Sequence, residues 1–202
     1  ISGNGNLWAG AIGHANTVNN QGGYALGQDN IVDGSGAIAV GVGNKVSGNN
    51  SMTLGFAMQV DGEQAFGLGS SGRAWRRGST AFGYNVDVSG IDATAFGFET
   101  HAPWSGSFVI GKHNDYASSA VLDEVNYKRT NPAFLIGGGD STTNRYNVFT
   151  VQQGGDTDIS GSLDISGAGN TRFLFDISNS YVDFSMNAMR MFLADGIDGD
   201  YR

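Results

Sequence analysis

The sequence predicts an all-β chain built as a parallel β-solenoid, and three columns of residues carry that prediction. The first is glycine at Gly13, Gly27, Gly41, Gly55, Gly69, Gly83, Gly97 and Gly111, an unbroken interval of fourteen. The second precedes it: Ile12, Leu26, Val40, Leu54, Leu68, Phe82, Phe96 and Ile110, apolar without exception. The third lies two before the glycine and is nearly all small: Ala11, Ala25, Ala39, Thr53, Gly67, Ala81, Ala95 and Val109. A fixed short period means that each unit is one rung, unable to bury its apolar face alone and stacked on its neighbours.

Each part of the rung has a physical reading. Fourteen residues suit two strands of about five residues and two tight turns. Five positions after the glycine come Val18, Val32, Val46, Val60, Ala74, Val88 and Ala102. Turn chemistry fills the rest, with Asn44, Gly48, Asn49 and Asn50, then Asp61-Gly62 and Ser89-Gly90. Side chains alternate sides along a strand, so the small column faces one way and the large columns beside it face the other. So short a coil has a narrow interior that fits alanine and glycine, which sends the larger Ile, Leu, Val and Phe to the outside. Over eight rungs they form an apolar strip larger than a soluble monomer normally exposes. Two further copies of the chain would cover it in a parallel homotrimer. At about 4.8 Å per rung this section would be roughly 35–40 Å long.

The run from Ala37 to Ser51, Ala-Ile-Ala-Val-Gly-Val-Gly-Asn-Lys-Val-Ser-Gly-Asn-Asn-Ser, resembles the head repeat of trimeric autotransporter adhesins of the YadA type. The resemblance covers roughly residues 9–115 and implies a left-handed parallel β-roll homotrimer. Arg76 and Trp104 depart from it, standing in the column where Gly34, Gly48, Gly62 and Gly90 make a turn. They are expected to alter that turn or bulge outward, because bulky residues adopt positive φ reluctantly.

The residues after the repeats separate two relatives. No sustained heptad appears after residue 115, so the coiled-coil stalk of an adhesin is not indicated. Instead come residues 131–139, Asn-Pro-Ala-Phe-Leu-Ile-Gly-Gly-Gly, then Arg145 to Val151 and a turn at Gly154-Gly155. This segment resembles the junction of phage and prophage tail-fibre proteins, in which head repeats precede a fibre tip. That resemblance implies a virion location, other virion or fibre proteins as partners, and a host-surface glycan or protein receptor. In many such proteins a C-terminal chaperone is cleaved off after trimerisation. The alternative is the head of a bacterial trimeric adhesin on the outer surface of the cell.

Composition bounds the remaining classes. The 202 residues carry 33 glycines, two prolines and 15% charged residues, which suits a turn-dense β protein. Without cysteine there is neither disulfide stapling nor Cys-ligated metal. A net charge of −8 argues against nucleic acid as a partner. No apolar run nears eighteen residues and no signal-peptide pattern occurs, so no membrane insertion is expected of this segment. The opening Ile1-Ser2-Gly3 suggests a fragment or processed product.

The pattern divides the chain into a β-roll over 1–116, a connector over 117–132 and a β-rich region over 133–202. Strands are expected at 133–137, 147–152, 157–165, 172–178, 181–186 and 190–194, the alternation being plain in Phe173-Leu174-Phe175-Asp176-Ile177. So little chain suggests strands interleaved among three copies in an intertwined trimeric stem or tip, with Met186, Met189, Met191 and Phe192 along its axis. An ordinary small sheet packed on the head is the alternative.

No catalytic site and no cofactor are predicted. His14, His101 and His113 fall at unrelated offsets from the repeat glycine and form no His-x-His or Glu-x-x-His pair. No Gly-x-Ser-x-Gly elbow occurs. The carboxylates Asp61, Glu63, Asp87, Asp92 and Glu99 are scattered over turns rather than paired. Asp195, Asp198 and Asp200 are a weak calcium candidate that reads better as a solvated acidic turn. Ice binding would need a flat threonine ladder, and Thr53, Thr80 and Thr94 make only a broken one.

Binding is where the irregular rungs inform. Residues 72–78, Gly-Arg-Ala-Trp-Arg-Arg-Gly, gather Arg73, Trp75, Arg76 and Arg77 in an acidic protein. One and two periods later the same face is read as carrying Val88, then Ala102, Pro103 and Trp104. Trp and Arg are enriched at binding hot spots, and aromatic faces stack on sugar rings. Arg73, Trp75, Arg76, Arg77 and Trp104 are therefore the receptor-binding candidates. In the structural alternative Trp75 caps the trimer seam, and the arginines pair with Asp61, Glu63 or Asp92.

Overall fold

The computed structural model describes residues 8–116 and 128–161. Within them all regular structure is β. Each rung supplies one long and one short strand. The long strands are β1 (Gly10–His14), β3 (Tyr24–Gln28), β5 (Ile38–Val42), β7 (Met52–Phe56), β9 (Phe66–Ser70), β11 (Thr80–Tyr84), β13 (Thr94–Phe98) and β15 (Phe108–Lys112). The short ones are β2 (Thr17–Val18), β4 (Ile31–Val32), β6 (Lys45–Val46), β8 (Gln59–Val60), β10 (Arg73–Ala74), β12 (Asp87–Val88) and β14 (His101–Ala102). Every like strand pairs in parallel with the one fourteen residues on, so each column of the sequence becomes a ladder. The long strands match the expected length. The second strand is two residues rather than about five, because turns take the remaining seven.

The repeat glycine is demanded by its neighbour above. Its φ lies between +106° and +148° in all eight rungs, and a Cβ at Gly55 would stand 1.9 Å from the carbonyl oxygen of Gly69. Two further columns hold positive φ. One is the residue two after the glycine, from Ala15 (54°) through Ala57 (51°) to His113 (42°). The other is nine after it, with Gly36, Asn50, Gln64, Gly78, Asp92 and Gly106 among its members.

The turn column of Gly34, Gly48, Gly62 and Gly90 corrects an expectation. None of these glycines has positive φ; their role is close approach, since a Cβ at Gly62 would lie 1.9 Å from the carbonyl oxygen of Arg76. Arg76 and Trp104 leave the turn unaltered. Ser79 N donates to Arg76 O at 3.1 Å and Ser107 N to Trp104 O at 3.2 Å, just as Ala37 N does to Gly34 O at 3.4 Å. Nor does Trp104 bulge outward: it is 1% exposed.

The interior is a thin apolar seam. Ala25, Ala39, Ala81, Ala95 and Val109 from the long strands face Val18, Val32, Val46, Val60 and Val88 from the short ones, all buried. The valine column therefore belongs inside, which corrects the expectation that every larger apolar residue lies outside. The width is set by an alanine–valine pair, not by alanine alone. Met58 also fits inside, because Gly67 and Gly72 make room for it: a Cβ on either would come within 3.0 Å of its ε-methyl.

A buried amide ladder runs beside this seam. Asn30 Nδ2 donates to Asn16 Oδ1 (3.0 Å) and Gly41 O (2.8 Å), and Asn44 Nδ2 donates to Asn30 Oδ1 (2.9 Å) and Gly55 O (2.9 Å). Asn44 Oδ1 accepts from Met58 N at 3.0 Å, and the ladder stops there. It returns at Asn114, whose side chain bonds both main-chain groups of His101 and so caps the edge of the short-strand sheet.

The long-strand sheet continues past the repeats. β16 (Pro132–Gly138) pairs in parallel with β15 and keeps the register, Gly137 opposite Gly111 and Ile136 opposite Ile110. β17 (Asn147–Gln152) and β18 (Thr157–Ile159) then add antiparallel, close to the first three strands expected after residue 132. Leu135, which continues the small column opposite Val109, sits fully buried in this last layer. The segment 117–127, the strands expected beyond 161, the interleaved stem with Met186, Met189, Met191 and Phe192, and the carboxylates Asp195, Asp198 and Asp200 lie outside the described residues.

Candidate functional site

Two faces of the rod carry functional chemistry. The first is the outer face of the long-strand sheet. The alternation that buries Ala39 turns Ile38, Val40 and Val42 outward, and the register repeats this in every rung. The result is one unbroken apolar column, Ile12 to Ile110, flanked by two mixed columns in which Thr80 and Thr94 on one side and His14, Gln28, Ser70 and Lys112 on the other interrupt the apolar residues. Ile12, Leu26, Leu54, Phe56, Tyr84 and Phe98 are among the side chains exposed there, Phe56 to 57%. Toward the C-terminal end the face becomes aromatic. Phe82 and Phe96 have ring centroids 5.1 Å apart, Tyr84 and Phe98 stack at 5.0 Å, and Phe108 stacks on Phe134 at 5.8 Å. Such a surface is costly in water, at about 25 cal/mol for each Å² of apolar area.

The second is the outer face of the short-strand sheet, which is polar. Arg73, Asp87 and His101 form one ladder on it, and Trp75, Ser89 and Pro103 stand in the next outward column. Between them lies a groove of about 460 Å³, bounded by Trp75 and Arg76 at one end and by His101 and Tyr116 at the other. Its walls are held before any ligand arrives. Trp75 Nε1 donates to Asp87 Oδ1 at 3.1 Å, and the Arg73 guanidinium lies 5.3 Å from the centre of the same indole. His101 stacks on Tyr116 at 4.2 Å, and Arg145 covers the Tyr116 ring at 5.5 Å. Burial, with the Arg145 charge as a lesser cause, lowers the His101 pKa to about 4, so its imidazole is neutral near pH 7.

The candidate binding residues thus separate. Trp75 and Arg76 line the groove and Arg73 braces it. Arg77 points elsewhere, in an exposed 3.5 Å pair with Asp92, as the structural alternative expected of one arginine. Trp104 is a correction: it belongs to the core and is withdrawn from the binding surface. Val88 and Ala102 are likewise buried, because the periods of Trp75 are Ser89 and Pro103, one residue further on. Sequence reasoning missed Asp87, His101 and Tyr116 as members. Asp87 and His101 share Arg73's ladder at intervals of fourteen, a signal the repeat did contain.

A third cluster ties the hairpin of β16 and β17 to the last rungs. Glu99 Oε2 lies 3.2 Å from His113 Nδ1, without hydrogen-bond alignment, and 3.7 Å from Arg145 Nη2; all three side chains are largely buried. Arg145 Nη1 also donates to the main-chain oxygen of Glu99 at 3.0 Å. Two of the three histidines thus lie near Glu99 and Arg145, which their offsets in the sequence did not suggest. Among the described residues no three His, Asp or Glu side chains converge to hold a metal ion.

The sequence matches no protein-family model and no curated protein.

Proposed function

We propose that the chain is a segment of a homotrimeric surface fibre, a stiff spacer with an attachment face, of the phage tail-fibre kind. The observation that carries this reading is the apolar column running without a break from Ile12 to Ile110 on the outer face of the long-strand sheet. An exposed strip crossing every rung calls for a partner with the same periodicity, and identical copies in register supply one. Three copies rather than two is drawn from the resemblance of residues 9–115 to adhesin head repeats, and the tail-fibre setting from that of residues 131–155 to fibre junctions. Burying this face leaves the polar face outward, where a host-surface receptor could reach it.

Sedimentation equilibrium at micromolar concentration tests the assembly. The expected mass is three times the 21.1 kDa of the chain. Phe96→Glu, which places a charge in the middle of the aromatic ladder, should lower the mass while leaving the far-ultraviolet spectrum that of a β protein. A folded, monodisperse monomer of the natural sequence would overturn the reading.

A further inference from the structure

We infer that the groove between Trp75 and Tyr116 is a saccharide subsite, built to hold a pyranose residue of a surface glycan. The inference deepens the reading of the chain as an attachment module and rests on it for the ligand's setting. The chemistry of the walls selects the ligand. A sugar ring has apolar C–H faces and a rim of hydroxyls, so its site needs an aromatic platform beside charged or polar groups that can both donate and accept. The groove supplies each: the Trp75 indole, 38% exposed, as platform; the Asp87 carboxylate as acceptor; the Arg76 guanidinium as donor; and the Ser89 hydroxyl as either. A neutral His101 adds a ring that donates through one nitrogen and accepts through the other.

Other ligand classes fit less well. A polyanion would meet Asp87 in the groove and a chain of net charge −8. A peptide that binds by adding a strand would need a free edge, yet the edge at β14 is closed by Asn114. Within this groove there is no purely apolar recess for an anchoring side chain, since Arg76, Asp87, Ser89 and His101 line it with Trp75, Pro103 and Tyr116. Preorganisation favours a weakly held ligand, because the Arg73–Trp75–Asp87 and His101–Tyr116–Arg145 sets need no ordering on binding.

The test is a glycan array spanning neutral hexoses, N-acetylhexosamines and uronic acids, probed with the labelled protein and completed by titration of the strongest saccharide. Binding should appear, and Trp75→Ala or Asp87→Asn should each weaken it at least about tenfold. Arg77→Ala, in the same turn but outside the groove, should leave it within about twofold, the scatter expected of a surface contact outside the hot spot. Circular dichroism and mass of each variant exclude loss of fold as the cause. No binding anywhere on the array, or retained binding by Trp75→Ala, overturns the inference. The two proposals fail separately: a monomer that still binds saccharide sinks the trimer alone, and a trimer blind to the array sinks the subsite alone.

Discussion

Two glycines of adjacent rungs give expectations of very different size for one chemical change. At Gly55 an added Cβ would lie 1.9 Å from Gly69 O, 2.9 Å from its carbonyl carbon and 3.1 Å from its nitrogen, at φ +148°. An ordinary carbon–oxygen contact is about 3.3 Å, so β7 and β9 must part locally by about 1.4 Å. That carries two or three ladder hydrogen bonds past their limit, at about 1 kcal/mol each, and the backbone strain adds about 1–2 kcal/mol. Gly55→Ala should therefore cost about 3–5 kcal/mol, a fall of about 6–20 °C in Tm for a chain of this size. At Gly43 the φ is +67° and nothing lies within 4 Å. The same column already holds alanine at Ala15 and Ala57, at φ 54° and 51°. Gly43→Ala should cost only the left-handed strain, about 1 kcal/mol, or about 2–4 °C. Thermal melts monitored by circular dichroism at matched protomer concentration compare the two. Equal shifts, or a larger one at Gly43, would refute the claim that rung-to-rung contact rather than backbone conformation selects the repeat glycine.

The interior and its titrating edge supply three further expected outcomes. Asn44→Ala removes donors from Val40 O, Gly55 O and Asn30 Oδ1 and an acceptor from Met58 N, and should destabilise by about 2–4 kcal/mol in urea unfolding. Thr53→Val should instead stabilise, by about 1 kcal/mol, because Thr53 Oγ1 is buried with no hydrogen-bond partner. A His101 pKa lowered to about 4 by burial and Arg145 means that the unfolded chain takes up this proton first. Its contribution is thus intact above about pH 6.5 and falls away as pH drops toward 4. His101→Gln should flatten Tm against pH across that window; an unchanged slope would contradict the assignment.

What was legible in the sequence is what repeats along it. The glycine column is invariant and the alanine and valine columns keep its offset with few exceptions, so the solenoid and its register could be read from spacing alone. The interior width could not, because it depends on which columns face each other across the seam. Asn44 read as a turn residue because asparagine commonly occupies turns, and Asn30 and Asn16, one and two periods before it, were not singled out. Only the coil's closure turns their amides inward, and Met58, Gly72, Val86 and Thr100 interrupt the column before it becomes obvious. The groove was half visible: Trp75 and Arg76 stood out by composition. Trp104 stood out equally and proved to be core, since a one-residue offset decides which side of a rung a residue takes. Tyr116 joins the groove by stacking on His101 and is backed by Arg145, a contact across 29 positions that no period of fourteen announces.

The two halves of the rod share one backbone ladder but add different side-chain contacts to it, and this bears on how assembly and stability are coupled. In β3, β5 and β7 the rungs share the Asn30–Asn44 amide ladder, a set of hydrogen bonds internal to one chain. From β9 to β13 that ladder is gone, and only Asn114 resumes it at the end of the repeats. Rung-to-rung cohesion there shifts to the exposed rings of Phe82, Phe96, Phe108, Tyr84 and Phe98, each pair contributing about 0.5–1.5 kcal/mol beyond the area it covers. Those rings lie on the face that association would bury, so in the C-terminal rungs cohesion within the chain and burial by partners draw on the same side chains. The Arg145 clamp on Glu99 and the bond from Gln153 Nε2 to Ser105 O partly compensate by fastening the hairpin over that end. Hydrogen exchange on protein diluted toward dissociation should therefore open β11, β13 and β15 before β3, β5 and β7, while concentrated protein should show little difference between them. Uniform protection at every dilution would mean that the aromatic ladder holds its rungs unaided, and the apolar face would lose its claim to be an interface.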